Sequence, residues 1–169
     1  WSKSADCYLK ADLKSVAAEM FEKAELFRQA ADCYRETDFM RHAAAMFVKC
    51  KNWRAAAECL ETVFADEGGK ATLDPKKAAE ISKLVRQAGK LFLKAEDAEK
   101  AFELFERGGC SREAAEVAAR LGNHEAAAQH FRSAGDIERA AESRREAGSA
   151  ADAARLLGQH LRDSGESEP

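Results

Sequence analysis

Side chains able to do chemistry in this sequence are mostly cationic, and they sit at helical spacings. Lys76, Lys83, Lys90 and Lys94 succeed one another by seven, seven and four residues, which brings all four within a narrow angular range of one helix, with Arg86 beside them. From Lys70 to Lys94 there are seven basic and two acidic residues, a local charge of +5 in a chain whose net charge is −3. Such a row is either a solvated helix exterior or a docking surface for an acidic partner or a phosphate backbone. Arg28, Arg41 and Arg54 recur every thirteen residues. If neighbouring helices alternate in direction, Arg28 and Arg54 line one edge and Arg41 the other, suited to local surface ion pairs or to bidentate binding of an acidic peptide.

Other chemistries find less support. Gly68, Gly69 and Lys70 invite comparison with a phosphate-binding loop, but Phe64 stands where the first glycine is needed, and Ala71 replaces the hydroxyl that follows the lysine to hold magnesium. The stretch reads as a connecting loop. His42, His124, His130 and His160 have no partner four residues away, and no Cys or His pairing has a zinc spacing, so neither metal nor cofactor is expected. Cys7, Cys33 and Cys59 repeat every 26 residues, the pattern of small apolar packing groups. The five cysteines include no Cys-x-x-Cys pair, which points to reduced thiols in the cytoplasm and to no disulfides. A repeat filled with alanine leaves no extra segment for a catalytic constellation, so the chain is expected not to be an enzyme. The 27 basic and 30 acidic side chains are mixed along the sequence, which argues against nucleic acid as the partner, and no apolar run is long enough for membrane insertion.

These residues must be positioned by helices. The 169 residues include 36 alanines, much Glu, Lys, Arg and Leu, few β-branched residues and only 2 prolines, so the fold class is all-α. A thirteen-residue repeat organises them. Large side chains at Tyr8, Phe21, Tyr34, Phe47 and Leu60, and again at Phe92, Phe105, Phe131 and Leu157, follow small residues such as Ala17 and Ala18 or Ala127 and Ala128, while Ala118 and Arg144 fill the same slot. Eleven helices are counted this way, each of about ten residues with a three-residue turn such as Leu121 to Asn123 or Ala134 to Asp136, where glycine takes the left-handed conformation that ends a helix. Turns this short make neighbours antiparallel, and helices this short need neighbours to be stable. The aromatic ladder is therefore expected to be core and not a stacking surface for bases or proline-rich peptide. The residue before the large slot alternates as Cys7, Met20, Cys33, Met46 and Cys59, which makes a helix pair the unit, with odd and even helices in different layers of a hairpin solenoid.

The register breaks once, between Leu60 and Phe92, which are 32 residues apart where 26 would fit. Glu67 to Gly69 look like a helix end, and Asp74 with Pro75 looks like a helix start, a capping carboxylate followed by proline at the first helical position. The organisation expected is a first block of short repeats over 1–66, a loop over 67–74, a long basic helix from Pro75 to about Ala95 heading a second block that runs to 162, and a polar tail over 163–169. The long helix carries the apolar stripe Ile81, Leu84, Val85, Ala88, Phe92 and Ala95, and its free end is expected to project.

The pattern Ala-Ala-x-x-Phe-x-x-Ala-Gly-Asp, seen at Ala127, Ala128, Phe131, Ala134, Gly135 and Asp136, resembles tetratricopeptide-like repeats. It is most similar to the short-helix α-solenoids of coatomer and intraflagellar-transport subunits, and is similar also to the repeats of tetratricopeptide-and-ankyrin helicase-like proteins. The unit is 26 residues where about 34 is usual, and the closing proline of the tetratricopeptide pattern is missing. The resemblance implies a right-handed superhelical stack of about eleven helices acting as a non-catalytic protein–protein interaction scaffold. Beside it stand two other readings: a nucleic-acid-contacting or regulatory accessory region of a helicase-like enzyme, and a structural spacer. The candidate partner-binding residues are Lys76, Lys83, Arg86, Lys90, Lys94, Arg28 and Arg54, and the partner expected is a protein or peptide of acidic character. Trp1 lies in phase with Phe27, Met40 and Trp53 in the turn slot. The chain is thus expected to be one segment of a larger protein, able to self-associate through an open N-terminal hairpin, while the polar C-terminal helices act as a cap.

Overall fold

A computed structural model describes residues 1–68 and 74–165 of the chain. Among the described residues there are eleven α-helices and no strand: α1 (Ser2–Lys10), α2 (Lys14–Lys23), α3 (Phe27–Glu36), α4 (Met40–Lys49), α5 (Trp53–Gly68), α6 (Pro75–Lys94), α7 (Ala98–Arg107), α8 (Ser111–Arg120), α9 (His124–Ser133), α10 (Ile137–Glu146) and α11 (Ala150–Gly165). The first residues of α2 to α5 stand thirteen apart, as do those of α7 to α11. Phe27, Met40 and Trp53 therefore open helices and are not turn residues, while Trp1 is the N-cap of α1. Two compact units divide the chain, one from Trp1 to Asp97 and one from Ala98 onward. Within each unit every helix packs on the next, the arrangement of an α-solenoid. The long helix α6, grouped by the sequence pattern with the repeats after it, packs on α5 in the first unit.

The thirteen-residue step has a backbone cause. In each of the nine short turns the last turn residue donates its N–H to a carbonyl five residues back, as Leu26 does to Phe21 (2.9 Å) and Asp136 to Phe131 (2.9 Å). The residue before it donates three residues back, as Glu25 does to Glu22 (3.0 Å). This pair of bonds ties off the helix carbonyls and requires a left-handed residue between them. The acceptor of the five-residue bond is always the large-slot residue, from Tyr8 through Phe92 to Arg144. One position thus anchors both the core and the cap.

Glycine supplies the left-handed residue in the second unit, as at Gly122 (φ +76°) and Gly135 (φ +78°). In the first unit the same place is held by Asp12, Glu25, Asp38, Lys51 and Glu96, all with φ between 57° and 65°. The sequence pattern finds only the glycines. Compensation comes from the next residue: Phe39 packs edge-on against Tyr34, ring centroids 6.4 Å apart, closing an apolar contact across the cap. Where glycine removes the need for that contact, the residue can be polar and cap the following helix, as Asn123 does for the Ala126 N–H (3.1 Å) and Asp136 for the Arg139 N–H (3.3 Å).

The alanine pairs Ala17/Ala18, Ala30/Ala31, Ala43/Ala44, Ala56/Ala57, Ala114/Ala115, Ala127/Ala128 and Ala140/Ala141 are all buried, and Phe47, Phe92 and Phe105 are fully enclosed. Small residues let backbones approach while the rings fill the space between hairpins. Cys33, Met46 and Cys59 are buried, so α3, α4 and α5 all bury the position before the large slot, while Met20 on α2 is half-buried. The ladder loosens on α1 and α11. There Cys7 and Leu157 are exposed, Tyr8 is 38% exposed and Trp1 68%, so Tyr8 and Cys7 are not core.

The register break lengthens two helices, not one. Asp74 accepts the Lys76 N–H at 3.0 Å with Pro75 next to it, fixing the start of α6, and residues 74–80 are exposed. Helix α5 runs on to Gly68, and its added turns bury Val63 and Phe64. Of the loop expected over 67–74, residues 69–73 lie outside the described part. Helix α11 reaches Gly165, into the stretch expected as a tail; residues 166–169 also lie outside.

Truncation of Phe47 or Phe105 to alanine empties an enclosed slot, and either change is expected to cost about 3 to 5 kcal/mol in chemical denaturation. Values below about 1 kcal/mol for both would be those of surface positions and would refute the register. Lys51→Gly relieves a left-handed non-glycine residue and is expected to stabilise the first unit by about 0.5 to 1 kcal/mol, whereas Gly122→Ala destabilises the second by a similar amount. Equal and opposite signs at the two sites are the measurable signature.

Candidate interaction surface

Helix α6 buries Leu84, Val85, Ala88, Gly89 and Phe92 against the first unit. The opposite side carries Lys76, Lys83, Lys90 and Lys94, all exposed, with Arg86 exposed beside them. Lys76, Lys83 and Lys90 make no ion pair among the described residues. Eighteen residues of helix separate Lys76 from Lys94, so the row extends for about 27 Å at 1.5 Å per residue. The structure brings the four lysines onto one face as the spacing predicts. It does not place Arg28 or Arg54 on that face.

Arg54 instead pairs with Asp97, whose side chain is only 13% exposed, across the end of α6. Its guanidinium is thereby committed within the unit. Arg41, on the other edge, holds Glu67 through two hydrogen bonds of 2.9 and 3.1 Å. Arg28 is exposed. Lys94 joins the row to that edge, because its ammonium lies 4.8 Å from the centre of the Trp53 ring. The same contact repeats down the edge as Lys49 over Phe27 (4.9 Å) and Lys23 over Trp1 (5.5 Å). In each rung the last lysine of an even helix covers the aromatic residue at the start of the preceding odd one. The 26-residue spacing of Lys23 and Lys49 and of Trp1, Phe27 and Trp53 carries this signal in the sequence. A lysine in the last turn also meets the negative end of its helix dipole.

On the opposite edge the added turns of α5 stand over the turn between α3 and α4. They form an open groove of about 310 Å³ whose walls include Phe39, His42, Val63 and Asp66. Tyr34, Phe39 and His42 are in mutual ring contact there, at 5.4 to 6.4 Å. The Tyr34 hydroxyl donates to Glu22 Oε2 (3.3 Å), and Glu22 Oε1 accepts from Lys49 Nζ (2.9 Å), so one carboxylate links α2, α3 and α4. Burial, reinforced by the negative charge of Glu22, pushes the Tyr34 phenol up to about 12 from its ordinary 10.0. Burial likewise pushes the Cys33 and Cys59 thiols up, which keeps them protonated and inert. Among the described residues no cluster of His, Cys, Asp or Glu side chains could hold a metal ion, and no helix is long and apolar enough to cross a membrane.

No protein-family model matches the chain, and no curated protein matches it. Its functional reading therefore rests on the geometry of its own surfaces.

Because the folded state holds the Tyr34 proton more tightly than the unfolded chain, its contribution to stability is complete below pH about 10 and is lost as pH rises from there through about 12. Denaturation midpoints measured across that interval are expected to fall more steeply for the native chain than for Tyr34→Phe. Parallel curves would show that the phenol does not sense the buried site.

Proposed function

We propose that the chain is a non-catalytic interaction scaffold whose exposed lysine row on α6 receives an acidic segment of a partner protein. The observation that carries this reading is the row itself: four lysines in one register on a face that their own helix leaves uncovered, in a chain with a net negative charge. A cation row of this length attracts carboxylates by long-range field as well as by contact. The stacked helical repeats support the same conclusion, since the tetratricopeptide-like solenoids they resemble act mainly by binding proteins. Five free thiols, three of them buried and two of those, Cys33 and Cys59, held protonated by burial, suit a reducing compartment such as the cytoplasm.

The test uses the full chain and its Lys83→Glu/Lys90→Glu variant in fluorescence anisotropy against a labelled ten-residue glutamate peptide and a twenty-nucleotide single strand of DNA. The native chain is expected to bind the peptide, to lose affinity as salt rises because exposed charges are screened beyond about 8 to 10 Å, and to lose at least about tenfold with the double reversal at unchanged helicity. Tighter binding of DNA than of peptide would replace this reading by a nucleic-acid-contacting one. Equal binding by the reversed variant would leave the row a solvated exterior.

A further inference from the structure

Ten of the eleven helices fill the large slot with an apolar residue, and α10 fills it with Arg144. The slot that elsewhere holds a ring, a leucine or an alanine here holds a guanidinium, and it lines open space. In the second unit two adjoining openings of about 260 and 410 Å³ share Arg132, Arg144 and Leu156 in their walls. Arg155, Asp152 and Gln159 complete the smaller one. The Arg144 side chain is 24% exposed, with Glu125 3.6 Å away; Arg155 has Asp152 at 3.4 Å; Arg132 has no carboxylate partner among the described residues. Among the described residues Arg144 and Arg155 each face one carboxylate and none of the three guanidiniums donates a hydrogen bond to a protein acceptor, so donors remain on each for an anion.

The chemistry of the walls selects an anion and then a kind of anion. Three arginines set against Asp152 in the wall and Glu125 beside Arg144 leave a local charge of +1, with more guanidinium donors than the two carboxylates engage. A carboxylate brings one negative charge, whereas a phosphate monoester brings about −1.5 to −2 near neutral pH and three acceptor oxygens for several guanidinium forks. The opening is at or below the small end of ligand clefts, sized for one side chain and not for a folded surface. We propose that this cleft binds a phosphorylated serine or threonine of a partner peptide, with Arg144 as the central fork and Arg132 and Arg155 flanking it. The site lies in the second unit and is distinct from the lysine row of α6.

The decisive variant restores the repeat's own residue. Arg144→Phe is expected to leave the thermal midpoint at least as high as that of the native chain while weakening binding more than tenfold, so loss of binding cannot be laid to unfolding. The probe is a five-residue peptide with a central phosphoserine between glycines. It is titrated into the full chain by calorimetry, with arginine Nε–H resonances followed by NMR, and compared with its serine and glutamate counterparts and with inorganic phosphate. Expected are shifts at Arg132, Arg144 and Arg155, at least fivefold weaker binding of the glutamate peptide and none of the serine peptide. The exposed substitution Arg132→Gln should weaken binding about tenfold, and Lys83→Glu/Lys90→Glu should leave it unchanged. Native affinity in Arg144→Phe, indistinguishable behaviour of the phosphoserine and serine peptides, or inorganic phosphate binding as tightly as the phosphopeptide would each overturn the proposal.

Discussion

Everything in this molecule depends on one hydrogen bond repeated at each short turn, from the N–H of the last turn residue to the carbonyl of the large-slot residue five positions earlier. That bond closes only when the intervening residue is left-handed, and closing it reverses the chain in three residues. A ring anchored at the carbonyl end is then carried into the space between neighbouring helices, where alanine pairs have made room. Cap and core meet at one residue, whose carbonyl serves the cap and whose side chain serves the core. A helix of ten residues, marginal alone in water, persists because its end is tied to its packing.

The two units meet this constraint with different chemistry. In the second, glycine accepts the left-handed conformation without steric cost, and the freed neighbour, Asn123 or Asp136, caps the next helix. In the first, acidic residues and a lysine hold the conformation; Leu13, Leu26 and Phe39 follow three of them without a side-chain cap, whereas Asn52 follows Lys51 and accepts the Ala55 N–H at 3.3 Å. The apolar residue shields the cap but remains partly exposed, Phe39 by 48%. Three of the five left-handed turns in the first unit thus end on an apolar residue. The character of the two edges of the first unit follows from this choice, with the lysine-covered rings on one and the groove beside Phe39 on the other.

Much of this was legible in the sequence because the repeat is strict. Slot residues, alanine pairs and the Asp74-Pro75 start all follow from spacing and cap chemistry, and the helix count follows with them. What escaped was whatever the pattern does not encode. Glu25 and Lys51 do not announce a left-handed turn, since their side chains disfavour it and only the tertiary frame imposes it. Cys7 and Tyr8 follow the packing register and yet are exposed, so their burial is set by what surrounds α1 and not by their own type. The lysines of α6 were legible as a face, since one helix carries them all. Arg54 and Asp97 were not legible as a pair, because 43 residues of chain separate them.

A repeat this uniform gives each departure from it a physical meaning. Alanine pairs and rings alone would produce a stack with featureless faces, so a surface with chemistry of its own needs a place where the rule is broken. Extending α5 and α6 beyond the thirteen-residue step gives a helix long enough to carry four lysines in one register, and raises the wall of the groove on the opposite edge. Replacing a slot residue by Arg144 opens the interior to a charged group, in the unit whose glycine turns and capping side chains make its frame the less strained of the two. A slot cation is tolerable only where its own carbonyl still closes the cap. Arg144 meets that condition, because its carbonyl still accepts the Ser149 N–H at 2.9 Å. The backbone half of the slot's work is kept, and only the side-chain half is released for chemistry.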